Sequence, residues 1–111
     1  MARIEYSPLS LFDLEQIGDY IEQELMSPQA AFNTVTKIQD SIDKLSIFPL
    51  MGTTLSSIAD VITDYRVLIC GTYLAFYHTD EVVVYIDRIL YGKRDYLTIL
   101  FPEINLIQTS E

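Results

Sequence analysis

The chain has 111 residues, half of them hydrophobic and 21% charged, a balance that fits one globular domain and excludes a disordered polymer. Sixteen Asp and Glu against seven Lys and Arg give a net charge of −9, which argues against broad electrostatic binding to nucleic acid but leaves room for a local basic site. No apolar run approaches the about 20 residues that cross a bilayer, and Met1–Glu5 lacks the long apolar stretch of a secretory signal. A lone cysteine, Cys70, rules out an internal disulfide, so the expectation is a cytoplasmic protein with no membrane partner.

Taken in order, Ala2 to Tyr6 reads as a short strand, stopped by Ser7-Pro8, which opens a helix with Pro at its first position. Ser10-Leu11-Phe12-Asp13 offers a second capping signal, so the helix start is open by about three residues. Leu11, Leu14, Ile17, Ile21 and Leu25 follow at helical spacing, while Asp13, Glu15, Asp19, Glu22 and Glu24 are expected on the solvated face. Ser27-Pro28 repeats the signal and starts a second helix, whose core stripe is Ala31, Val35, Ile38, Ile42 and Leu45. The link between the helices is so short that they must form an antiparallel hairpin.

Pro49 ends the helical region, and a polar loop is expected from Met51 to about Asp64. Tyr65–Cys70 and Tyr73–Thr79 then read as strands joined by Gly71-Thr72, with Gly first as a type II′ turn prefers. The β-branched run from Val82 to Gly92 is a third strand, and Tyr96–Leu100 is either a last short strand or a helical turn. The order β-α-α-β-β-β predicts an α+β domain over residues 1–101, a helical hairpin on a mainly antiparallel sheet, followed by a tail over 102–111. The first strand adds to one edge of that sheet, and sequence leaves open which.

Four of the seven cations, Arg66, Arg88, Lys93 and Arg94, fall in the last third, beside Tyr96. A carboxylate-bearing or anionic partner would meet the protein there. In the plainer reading Arg66 and Arg88 pair with Asp64 and Asp87 at the surface, each pair contributing about 0–1 kcal/mol. Cys70, among Val67, Leu68 and Ile69, is expected as a small buried thiol. One His and one Cys cannot build a usual zinc site, Asp80, Glu81 and Asp87 form no obvious converging cage, and no phosphate-binding glycine loop is present, so no metal or other cofactor is expected.

Three stretches carry a family resemblance: Ile47-Phe48-Pro49-Leu50-Met51-Gly52, Arg66 with Tyr73-Leu74-Ala75-Phe76-Tyr77, and Arg88-Ile89-Leu90-Tyr91-Gly92-Lys93-Arg94-Asp95-Tyr96. In order and spacing, from about Ile4 to Phe101, the chain resembles the RelE/ParE superfamily of bacterial type II toxins, closer to the ParE branch. The resemblance implies a cognate antitoxin as partner and either DNA gyrase or the ribosome with its mRNA as target; a homodimer stays open. A ParE-like member would bind its target through Arg66, Arg88, Lys93, Arg94 and Tyr96. A RelE-like member would be a metal-independent mRNA endonuclease, with Arg94, Tyr96, Arg66 and His78 as its catalytic candidates. RelE-like nucleases carry an Arg where this chain has Leu74, and many relatives carry a histidine where it has Tyr91. Those departures, with the acidic balance, favour the ParE branch, while a member that has lost toxicity remains the third reading.

Overall fold

The computed structural model describes residues 1–102; the expected tail beyond Pro102 lies outside the described residues. A strand β1 (Arg3–Tyr6) leads into helix α1 (Pro8–Leu25) and helix α2 (Pro28–Asp43), which tightens into a 3-10 turn at Lys44–Ser46. Both helices start where a serine precedes a proline. The Ser7 hydroxyl accepts the Ser10 N–H at 3.0 Å, and the Ser27 hydroxyl accepts the Ala30 N–H at 3.1 Å. The start of α1 is therefore at Pro8, and Ser10, fully buried, donates its own hydroxyl back to the Ser7 carbonyl. Between the helices Met26 takes a left-handed conformation (φ 50°), and its N–H bonds back to the Glu22 carbonyl.

A two-residue strand β2 (Thr53–Thr54) and a 3-10 turn at Leu55–Ser57 interrupt what the sequence suggests is a plain loop. Leu55 is wholly buried there, which anchors the loop to the sheet. Strands β3 (Arg66–Cys70), β4 (Tyr73–Thr79) and β5 (Val83–Tyr91) follow, then a short helix α3 (Tyr96–Leu100). Gly71 alone in the β3–β4 link has positive φ (+65°), the pattern expected of a II′ turn.

The five strands lie in the order β1-β5-β4-β3-β2. All pairs are antiparallel except β1, which runs parallel to β5 through Arg3–Tyr6 against Val83–Ile86. This settles the edge the first strand joins. A parallel neighbour needs a long crossover, and here the β1-to-β5 connection spans the whole hairpin and three strands.

Alternation along the strands divides the interior in two. Leu68, Cys70, Ala75, Tyr77, Val84, Ile86 and Ile89 face the hairpin and meet Leu14, Ile17, Ile38, Ile42 and Leu45. Val67, Phe76 and Leu90 face the other way and are covered by Leu55 and by the α3 residues Tyr96, Leu97, Ile99 and Leu100. The α2 stripe matches the sequence reading, with Val35 only partly buried. That of α1 does not: Leu11 and Leu25 are exposed, and Asp13, assigned to the solvated face, is buried. Asp13 lies three residues from Ser10 and four from Ile17, on the flank of the buried stripe, and an internal cation holds it there.

Candidate functional site

The β5 strand sets the geometry. Phe76 pairs with Arg88 and Tyr77 with Ile86, so Asp87 is an extra residue, a bulge that re-aims the side chains around it. At the bulge the Asp87 carbonyl accepts the Ser7 hydroxyl (2.9 Å), tying β5 to the start of α1. Arg88 then reaches around the edge to Asp13, donating from Nε at 2.8 Å and from Nη2 at 2.9 Å. The same carboxylate accepts the Ile89 N–H at 2.9 Å, an edge amide left without a strand because β1 has ended. Arg88 and Asp13 side chains are 22% and 8% exposed, so the fork-on-fork pair is largely dry.

Arg66 is spoken for as well. Its Nη1 donates to the carbonyls of Leu50 (3.2 Å) and Gly52 (2.8 Å). The Tyr77 hydroxyl reinforces that turn by donating to the Pro49 carbonyl at 2.8 Å and accepting the Gly52 N–H at 2.9 Å. A Cβ on Gly52 would sit 2.7 Å from the Tyr77 hydroxyl and 2.8 Å from the Val67 carbonyl, so only glycine fits. The pairs Arg66–Asp64 and Arg88–Asp87 considered from sequence are thus replaced by Arg66 on turn carbonyls and Arg88 on Asp13. The physical reason is long-range packing: α1 and the Pro49 turn bring better-oriented acceptors than the chain neighbours do.

On the face away from the hairpin, His78 Nδ1 and Asp87 Oδ2 share a hydrogen bond at 2.5 Å. The imidazole stacks on Tyr85 (centroids 4.9 Å, planes 16° apart), and Tyr65 stands edge-on at 6.4 Å. Burial pushes the Asp87 carboxyl above its ordinary value, with the His78 contact opposing it. Burial, then the charges of Asp87 and Asp64, push the Tyr65 phenol up.

Lys93 and Arg94 are exposed on the turn after β5, where the Arg94 N–H bonds to the Tyr91 carbonyl. Neither side chain is in an ion pair among the described residues. Tyr96 is half-buried, its ring 5.2 Å from that of Phe76. The five target-binding candidates therefore divide into two internally bonded cations (Arg66 and Arg88), two open ones (Lys93 and Arg94) and an aromatic covering the sheet. As a catalytic set, Arg66, His78, Arg94 and Tyr96 do not share a centre. Arg66 and His78 serve opposite faces of the sheet. Arg66 lies opposite Tyr77, whereas Arg94 follows the Tyr73–Tyr91 pair, about 13 Å further along the strands.

A groove of about 640 Å³ opens beside Arg94, between α1 (Phe12, Gln16, Tyr20) and the end of β5, with Tyr73 and Tyr91 on its far side. Sequence reasoning missed it. Phe12 and Tyr20, eight residues apart on α1, were the available signal: two aromatics on one helical face outside the core stripe. Asp13 was missed for the opposite reason, because nothing local marks a carboxylate whose partner is 75 residues away.

The sequence model of the family described as "ParE toxin of type II toxin-antitoxin system, parDE" matches residues 4–96. The chain belongs to the ParE toxin family. Among solved structures it is similar to a chain of the chromosomal ParDE TA system from P. aeruginosa, with TM-score 0.70 and 20% identity over 84% of this chain and 98% of that one. That likeness shows the shared ParE-like α+β fold. No curated protein matches the chain by sequence. Among the described residues, no helix is long and apolar enough to cross a membrane.

Proposed function

We propose that this ParE-family toxin acts by binding a macromolecular target, DNA gyrase, in the cytoplasm, and that a cognate antitoxin neutralises it. The observation that carries this reading is the division of the cations. Metal-free RNA cleavage needs a base, an acid and charge-stabilising cations around one phosphodiester. Here Arg66 and Arg88 are bonded internally, and Leu74, where nucleases of the superfamily carry Arg, packs in the second core. Lys93 and Arg94 remain as an open basic corner on a protein of net charge −9, a feature suited to a specific acidic contact on a partner protein.

Controlled expression in a bacterial host, with protein and DNA synthesis pulse-labelled separately over the first minutes, tests the reading. DNA synthesis falling first is the expected result. Protein synthesis falling first would establish ribosome-dependent cleavage instead, and no effect on either would identify a family member that has lost toxicity.

A further inference from the structure

We propose that the groove between α1 and the end of β5 is a binding site for a free purine nucleoside monophosphate, its base read by the open edge of β5 and its phosphate held by Arg94. The edge is open because β1 pairs with β5 only through Ile86. Past that point the Ile89 N–H goes to Asp13, and the Tyr91 carbonyl accepts the Arg94 N–H. Antiparallel alternation turns the Ile89 carbonyl and the Tyr91 N–H to the same side, where no strand lies opposite them among the described residues. They stand as neighbouring acceptor and donor on one strand edge. A purine carries the complement along its Watson–Crick edge: adenine sets the N6 amine, a donor, beside the N1 acceptor, and guanine sets the N1–H donor beside the O6 acceptor.

The walls supply the stacking surface. Phe12 and Tyr20 stand 54% and 62% exposed on α1, and Tyr73 and Tyr91 form an edge-to-face pair (5.9 Å) across the groove. A flat base entering between them meets aromatic rings on both sides, and two fused rings use that surface more fully than one. The volume of about 640 Å³ falls within the range of small-molecule sites, about 300–1,000 Å³. Gln16 adds an amide that can donate or accept. Charge sets the number of phosphates. Arg88 also lines the groove, but Asp13 neutralises it, so Arg94 is the lining cation left without an ion pair among the described residues. One open cation matches one phosphate. A triphosphate or a nucleic-acid strand brings further negative charge to a chain of net charge −9, which repels it. Nothing in this recognition depends on which macromolecule the toxin arrests.

Calorimetric titration and amide NMR of the purified chain, with AMP and GMP as probes, test the site. At least one of the two should bind and move the Tyr91 amide resonance. Arg94→Glu should weaken that nucleotide by about ten- to a hundredfold and Tyr20→Ala by about tenfold, whereas Phe32→Ala on α2 should leave it unchanged. The matching nucleoside, which lacks the phosphate, should bind about tenfold more weakly and be indifferent to Arg94→Glu. Variants are compared at unchanged thermal midpoint, so that a folding defect does not imitate lost binding. No binding of either nucleotide at millimolar concentration, binding unmoved by both groove substitutions, or equal binding of inorganic phosphate would overturn the proposal. A short oligoadenylate that binds far more tightly than AMP would overturn it too, by making a nucleic-acid strand the occupant.

Discussion

Replacing Asp13 by alanine removes three hydrogen bonds at once, those to Arg88 Nε, Arg88 Nη2 and the Ile89 N–H. The guanidinium stays largely buried at 22% exposure with no counter-charge, and a sheet amide loses its acceptor. Breaking one side of a buried pair costs about 3–5 kcal/mol, a large share of the about 5–15 kcal/mol that stabilises a domain. In urea, with a slope of about 1.5 kcal/mol/M, the unfolding midpoint should fall by about 2–3 M. The double substitution Asp13→Ala with Arg88→Met should recover much of that loss. It removes the stranded cation and leaves only the Ile89 N–H unsatisfied, at about 1–3 kcal/mol. A loss below about 1 kcal/mol for Asp13→Ala, the level of an exposed ion pair, would refute the claim that this pair anchors α1 to β5.

Gly52→Ala drives a Cβ into Tyr77 and the Val67 carbonyl, and thermal or urea unfolding should register a loss of about 3 kcal/mol. Met26→Gly should instead raise stability by about 1 kcal/mol in the same assay, because the left-handed residue after α1 then carries no Cβ strain. Burial pushes the Tyr6 phenol up to about 12, and burial likewise raises those of Tyr65, Tyr73 and Tyr77. The native state thus holds these protons after the unfolded chain, with phenols near about 10, has released them. Their stabilisation is complete below about pH 10 and is lost as pH rises toward 12, so urea midpoints should decline through that window while phenolate absorbance lags until unfolding. Cys70, buried and with its thiol pushed up to about 11, should resist a disulfide reagent at mildly alkaline pH until denaturant is added.

Local signals carried the fold a long way. Two Ser-Pro pairs marked the helix starts, because capping and fixed φ are satisfied within four residues, although Ser10 left that of α1 open by about three residues. Gly71-Thr72 gave the central hairpin on the same grounds. What stayed hidden depends on chain-distant neighbours. The parallel seat of β1, the bulge at Asp87 and the two-residue β2 are set by what lies opposite them, not by their own residues. Tyr96–Leu100 was open between strand and helix because five residues cannot display a period, and Phe76 with Leu90 beneath them favours the helical face. At the site, the cluster of cations was visible by composition alone. Which of them are free was not, since Asp13 and the Pro49–Gly52 carbonyls reach Arg88 and Arg66 only in the folded chain.

DNA gyrase supercoiling of relaxed plasmid, titrated with the purified chain, is the most direct test of gyrase as the target. Supercoiling should fall as the chain is added and stay intact with an Arg94→Glu variant of unchanged stability. Undiminished supercoiling, with gyrase untouched at every concentration of the folded chain, would contradict the central claim.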